Sequence, residues 1–186
     1  RQQAGLMLEA RVLLVQMEIP IETVEVSLLL AKRQGLITIL NPAPACPLPS
    51  EFLRMVDILT PNESEACFLT GATDLTEAAH RLATGGAGTV LVTCGAEGAV
   101  LARGKEVTYV PAFVVNPIDS TGAGDAFNGA LACALAEGVP IEEAVDWASA
   151  AGALATTVRG AQPSMPARDE IDRLYRSGAR RMRSSA

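Results

Sequence analysis

The run Asp119-Ser-Thr-Gly-Ala-Gly-Asp125-Ala-Phe127 combines the residue types that phosphoryl transfer needs. A loop ending in Gly122-Ala123-Gly124 passes directly into an apolar, Ala-rich stretch with helical character. Glycines permit backbone conformations that turn several N–H groups toward one point. The free N–H groups and positive dipole end of the following helix favour an anion in the same place. Such a turn suits a phosphate whose negative charge redistributes during transfer. Asp125 lies inside it, badly placed to bind phosphate but well placed to take a proton from an attacking hydroxyl. The same tetrapeptide also reads as a plain helix start in which Asp125 offsets the dipole, and the residues alone leave both open.

Two other phosphate signatures are missing. There is no G-x-x-x-x-G-K-[ST], and Phe127 stands where the dinucleotide fingerprint needs its third glycine, with no strand leading into the turn. NAD is therefore not expected.

The elements that must position these residues alternate. Strands are expected at Val12–Met17, Leu36–Leu40, Val56–Leu59 and Thr89–Thr93, with helices over Ile21–Gln34, Asn62–Leu69 and Asp74–Ala83. Ala99–Ala102 and Val107–Val110 read as a hairpin around Gly104-Lys105. Helices follow at Gly122–Glu137, Pro140–Thr157 and Ala167–Tyr175. This pattern predicts an α/β fold, a mostly parallel sheet with helices on its faces, in a single domain spanning 1–186. Asn62 and Glu65 have the spacing of a capping box. Cys94-Gly-Ala-Glu-Gly98 reads by itself as an ordinary turn between strands. Glu18 follows the first strand at its carboxyl end, where ligands of open α/β sheets gather; it equally suits an exposed acid ahead of a helix.

Composition narrows the classes. The 186 residues are 49% hydrophobic and 19% charged, which is globular, and a net charge of −6 argues against a nucleic-acid partner. No apolar run approaches the roughly 20 residues that span a bilayer, so no membrane role is expected. Cys46, Cys67, Cys94 and Cys133 form no C-x-x-C pair, Cys133 falls in an apolar helical stretch and is expected buried, and His80 is the one histidine. With no signal-peptide pattern at the start, a reducing, cytoplasmic setting is expected. Arg176, Arg180, Arg181 and Arg183 read as a solvated, frayed tail.

The segment Asp119 to Gly129 resembles the C-terminal signature of the ribokinase, or PfkB, family of sugar kinases. Asn41-Pro-Ala-Pro-Ala45, Thr60-Pro-Asn-Glu-Ser-Glu-Ala66, Val92-Thr-Cys-Gly-Ala-Glu-Gly98 and Gly160-Ala-Gln-Pro-Ser164 match in the right order, so the similarity runs over nearly the whole chain. The resemblance implies a ribokinase-like three-layer α/β/α fold, incomplete at its N-terminal side, where relatives carry a further sugar-binding and lid segment. It implies ATP-dependent phosphorylation of a sugar primary hydroxyl, ribose to ribose 5-phosphate. Fructokinase-like or adenosine kinase-like activity and a truncated, noncatalytic nucleotide-binding fragment are the alternatives. A cut sheet edge at Val12–Met17 implies little activity for the isolated chain.

The family's roles carry over residue by residue. Asp125 becomes the catalytic base, in contact with the sugar, and Gly122, Ala123 and Gly124 the anion hole. Asn62 and Glu65 match the N-x-x-E motif that organises Mg²⁺ and the phosphates through water, and Thr93, Cys94, Gly95, Ala96, Glu97 and Gly98 form the nucleotide loop with Gly124 and Asp125. Ser149 falls where relatives place His or Asn against adenine, a departure from the pattern. Glu18 becomes a sugar contact, and Asp119, Thr121, Ala155, Val158, Gly160 and Ser164 a site for K⁺. The partners implied are a small sugar and ATP, with the longer protein a homodimer.

Overall fold

The computed structural model describes residues 9–181. In sequence order its strands are β1 (Val12–Gln16), β2 (Ile37–Asn41), β3 (Ile58–Leu59), β4 (Thr89–Thr93), β5 (Ala99–Arg103) and β6 (Glu106–Val110), and the sheet keeps that order in space. Its first three pairings are parallel, in register Val12 with Ile37, Ile39 with Ile58 and Ile58 with Thr89. Parallel neighbours need a return crossover, and helices supply it. α1 (Ile21–Arg33) joins β1 to β2, α2 (Ser50–Leu53) joins β2 to β3, and α3 (Glu63–Thr70) with α4 (Leu75–Thr84) joins β3 to β4. β5 and β6 are linked by Gly104-Lys105, with Gly104 at φ +58°. The α/β alternation expected from sequence is present, and α2 is an addition too short for helical periodicity to reveal.

Contacts divide the chain into two compact units. The first runs through Thr93 and includes Val100–Tyr109. Its core is the apolar row that a sheet covered by helices demands: Val24, Leu28 and Ala31 of α1, Ile39 and Leu40 of β2, Leu59 of β3, and Val90, Leu91 and Val92 of β4 are all buried. Asp57 locks β2 to the start of β3, accepting the Thr38 N–H and hydroxyl at 2.9 Å each and the Lys32 ammonium at 2.6 Å. Burial alone would raise this carboxyl, but those donors outweigh it and hold its pKa below the ordinary value. Among the described residues β1 pairs with β2 alone, and Leu14, Ile19, Val26 and Leu29 are exposed on that strand, its following bend and α1.

The second unit holds Cys94–Ala99 and the chain from Val110 onward. α5 (Ala123–Ala136) and α6 (Ile141–Ala155) pack closely, and α7 (Arg168–Ser177) lies on α6. Alanines permit the close approach: a Cβ added at Gly152 of α6 would lie 3.3 Å from the Ala123 carbonyl and 3.4 Å from Phe127 Cβ. The buried row of α5 is Ala126, Phe127, Ala130, Leu131, Ala134 and Leu135. Cys133 falls off that row and is exposed, which corrects the expectation of a buried thiol. All four cysteines are free. No helix among the described residues is long and apolar enough to cross a membrane.

Candidate active site

In the first unit the carboxyl ends of β1 to β4 are tied sideways into one rim. The Met17 N–H donates to the Ala43 carbonyl at 3.0 Å, Asn41 Nδ2 to the Thr60 carbonyl at 2.7 Å, and the Thr93 N–H to the Pro61 carbonyl at 2.9 Å. The Ala43–Pro44 peptide in this rim is cis. Glu18 is exposed in the bend after β1. Asn62 forms an isolated parallel bridge with Thr93, so the cap of α3 sits at the end of β4.

Asn62 and Glu65 form the capping box their spacing predicts. Asn62 Oδ1 accepts the Glu65 N–H at 2.9 Å, Glu65 Oε2 accepts the Asn62 N–H at 2.8 Å, and Asn62 Nδ2 donates to Glu65 Oε1 at 2.8 Å. Glu65 is 8% exposed, and this burial pushes its pKa up against the opposing Asn62 N–H. Each carboxylate oxygen keeps one further lone pair. A donor set so engaged fits a hydrated cation held through its waters, the habit of Mg²⁺.

In the second unit Gly122 caps α5 with φ +80°, the left-handed region that glycine adopts without strain. Space reinforces conformation there: an added Cβ would lie 2.9 Å from Ala161 Cα and 3.0 Å from Met165 Cε. The Ala123 N–H turns back to the Ser120 carbonyl at 3.1 Å, whereas the N–H groups of Gly122 and Gly124 have no acceptor among the described residues. Buried Asn128 donates to the Gly124 carbonyl at 2.9 Å and steadies the first turn. Asp125 is exposed in that turn, at the positive end of a 14-residue helix.

Asp119 stitches this turn to the segment after α6. Its carboxylate accepts the Thr121 hydroxyl at 2.7 Å, the Thr121 N–H at 3.0 Å and the Gly160 N–H at 2.9 Å. The Ile118 and Asp119 N–H groups both donate to the Thr156 carbonyl, at 2.7 and 3.1 Å. Hydrogen bonds from the Thr121 hydroxyl, then from Gly160 and Thr121 N–H, lower the Asp119 pKa from 3.8 to about 2. A depressed carboxyl stabilises the fold above its unfolded value and loses that contribution as pH falls through the folded one. The contribution is therefore complete above about pH 4 and lost between about 4 and 2. A carboxyl NMR titration should place Asp119 near 2; a midpoint near 3.8 would mean the three hydrogen bonds do not persist in solution.

The carbonyls of Val158 and Gly160 accept no hydrogen bond among the described residues, and the Ala155 carbonyl is met by the Val158 N–H at a long 3.4 Å. Ser164 is buried, its hydroxyl donating to the Ala161 carbonyl at 2.7 Å. Unspent carbonyls beside an ionised Asp119 suit a monovalent cation, which carbonyl dipoles can take from its hydration shell. The Ser149 hydroxyl donates to the Val145 carbonyl of its own helix at 2.8 Å.

The loop after Thr93 is a single 3-10 turn, Gly95–Glu97. The Cys94 N–H donates to the Gly98 carbonyl at 2.7 Å and the Glu97 N–H to the Cys94 carbonyl at 2.9 Å, leaving the N–H groups of Gly95 and Ala96 without an acceptor in the turn. Sequence reasoning does not single out Asn128, Ala161 or Met165 as site residues. Asn128 stands inside the signature run, but nothing in sequence pairs it with Gly124.

A model of the pfkB family carbohydrate kinases matches residues 2–168. The chain belongs to that family. A ribokinase of Haemophilus influenzae is 40% identical over 175 residues, covering 91% of this chain and 57% of that protein. The crystal structure of a Thermotoga maritima ribokinase has a TM-score of 0.84 and 39% identity over 93% of this chain and 59% of its own. An Arabidopsis thaliana ribokinase complexed with ribose and ATP has a TM-score of 0.84 and 34% identity over 94% of this chain and 58% of its own. The fold is thus the three-layer α/β class of the ribokinases, as its motifs imply. This pfkB chain spans a little over half the length of the relatives it matches.

Proposed function

We propose that this pfkB chain is the C-terminal part of one kinase domain and supplies the nucleotide-binding and catalytic half of a ribokinase, which transfers the γ-phosphoryl group of ATP to the primary hydroxyl of ribose. The observation that carries the reading is the α5 turn: a left-handed Gly122, unspent Gly122 and Gly124 N–H groups, and Asp125 exposed in the first turn. Those N–H groups and the helix dipole favour charge building on the transferring phosphoryl oxygens. Asp125 accepts the hydroxyl proton as the oxygen attacks phosphorus. Glu65 and Asn62 hold waters of Mg²⁺, which when bound neutralises phosphate charge. Thr93 and the Cys94–Gly98 turn receive the nucleotide, with Ser149 toward the base. Glu18, at the carboxyl rim of the sheet, contacts the sugar. Asp119, Thr121, Ala155, Val158, Gly160 and Ser164 hold K⁺, which braces the α5 turn without touching substrate. The four free thiols suit a cytoplasmic enzyme, and the longer protein is a homodimer.

The isolated chain is expected to bind MgATP but to show little or no sugar-dependent ADP release, since it matches only 57% and 54% of the length of two ribokinase relatives. The exposed Leu14, Ile19, Val26 and Leu29, beside a β1 that among the described residues pairs with β2 alone, should also make it associate at high concentration. Robust turnover by the chain alone would overturn the division of labour. In the longer protein, a panel of ribose, fructose and adenosine separates ribokinase from its family alternatives by kcat/KM.

A further inference from the structure

The three residues after the αL cap of α7, Ala179 to Arg181, are not the frayed tail that their charge suggests; Arg183 lies outside the described residues. Arg180 forms an antiparallel bridge with Phe113, flanked by the Val114 N–H to the Ala179 carbonyl at 3.0 Å and the Arg181 N–H to the Ala112 carbonyl at 2.8 Å. The Arg180 guanidinium lies 3.6 Å from the Phe113 ring centroid, donates to the Pro111 carbonyl at 3.0 Å and pairs with Asp146 of α6 at 3.2 Å. Its side chain is only 22% exposed, and a planar cation stacked, bonded and paired at once is an anchor.

The segment that receives this arm also seats the Cys94–Gly98 turn. Gly98 has φ +102°, and a Cβ on it would fall 2.1 Å from the Val110 carbonyl and 2.8 Å from the Ala112 nitrogen. The arm reaches the turn directly as well. Arg181 Nη1 donates to the Ala96 carbonyl at 3.3 Å and lies 3.5 Å from Glu97 Oε1. Fixing the Ala96 carbonyl fixes the peptide plane between Ala96 and Glu97, and with it the turn that presents the unspent Gly95 and Ala96 N–H groups.

We propose that Arg180 and Arg181 are positioning residues for the nucleotide: the arm after α7 clamps the Cys94–Gly98 turn in the shape that binds it. This rests on the reading of that turn as the nucleotide loop. A preordered loop spares the ligand the entropy of ordering it, so losing the arm weakens nucleotide binding and leaves the chemical step alone. Arg181, largely exposed, contributes the smaller share.

The test is isothermal titration of MgADP into the chain and its variants, each with a melting temperature measured without nucleotide. Arg180→Ala should weaken binding about tenfold and Arg181→Ala about threefold, with Arg181→Lys recovering most of the loss. In a fusion of this chain to the N-terminal segment of a ribokinase relative, the same variants should raise KM for ATP with kcat and KM for sugar unchanged. Gly95→Pro, which forbids the φ of +51° there, is the control for the loop itself. If Gly95→Pro abolishes binding while both arginine variants bind like the parent, the clamp is wrong and the nucleotide loop stands. If the parent chain binds no nucleotide, the loop reading fails and the clamp with it. Should Arg180→Ala not fold, the exposed Arg181→Ala and Arg181→Lys pair decides: equal affinity for all three chains overturns the proposal.

Discussion

Asp125→Asn, made in a fusion of this chain to the N-terminal segment of a ribokinase relative, is expected to lower turnover by about 10²–10⁴-fold while ATP binding is retained. The substitution keeps size and hydrogen-bonding shape but removes the carboxylate's capacity to accept a proton. Asp125 is exposed in the first turn of α5, so the substitution buries no new polar group. Replacing the carboxylate also removes a negative charge from the positive helix end, where it is worth about 0.3–1 kcal/mol. That loss moves stability slightly and cannot account for a rate effect of the expected size. If Asp125 were only the helix-start residue, its Asn variant would lose well under tenfold in kcat, because it forfeits only the charge–dipole interaction at the first turn. The separation between the two readings is therefore measurable in a steady-state assay with saturating ATP.

Gly98→Ala should be the most damaging single-atom change outside the α5 turn. Position 98 combines φ +102° and ψ −132°, a region that L side chains rarely adopt, with a Cβ position 2.1 Å from the Val110 carbonyl oxygen. Backbone strain of this kind costs about 1–3 kcal/mol by itself. The obstructing atoms are backbone, so they cannot swing aside as a side-chain end could. A melting-temperature drop of about 10 °C is expected, at about 2–4 °C per kcal/mol for a chain of this size. The same variant should lose nucleotide binding, because the turn can no longer seat on Val110–Ala112. An unchanged melting temperature together with normal MgADP affinity would mean that the turn has a second, equally good conformation.

The strands and helices were legible because apolar runs and caps recur at the right periods. β1 to β4 are short, nearly continuous apolar stretches, and Asn62 with Glu65 announces the start of α3 by capping chemistry alone. The α5 turn was legible because glycines and an acid adjoin an apolar helix. Less visible features share a physical cause: their partners are distant in sequence or carried by backbone. Arg180 finds Phe113, Pro111 and Asp146 only once α7 has folded onto α6, so its charge alone suggested a solvated tail. Cys133 misled because an Ala-rich helix has no strong contrast between its faces, and only packing revealed that Phe127, Leu131 and Leu135 define the buried one. Carbonyls such as those of Val158 and Gly160 leave no mark in sequence, since every residue has one. Their candidacy for a cation came from the family resemblance, and the unspent oxygens beside Asp119 are its physical support.

The most direct measurement joins this chain to the N-terminal segment of a ribokinase relative and follows phosphoryl transfer by ³¹P NMR with MgATP and ribose in K⁺ buffer. Bound MgADP, measured first, certifies that the nucleotide half has folded. Ribose-dependent loss of the γ-phosphate signal, with a new phosphomonoester on the primary carbon that disappears in the Asp125→Asn variant, is the expected result. A fusion that binds MgADP yet transfers nothing to ribose, fructose or adenosine, or whose Asp125→Asn variant transfers equally well, would contradict the account.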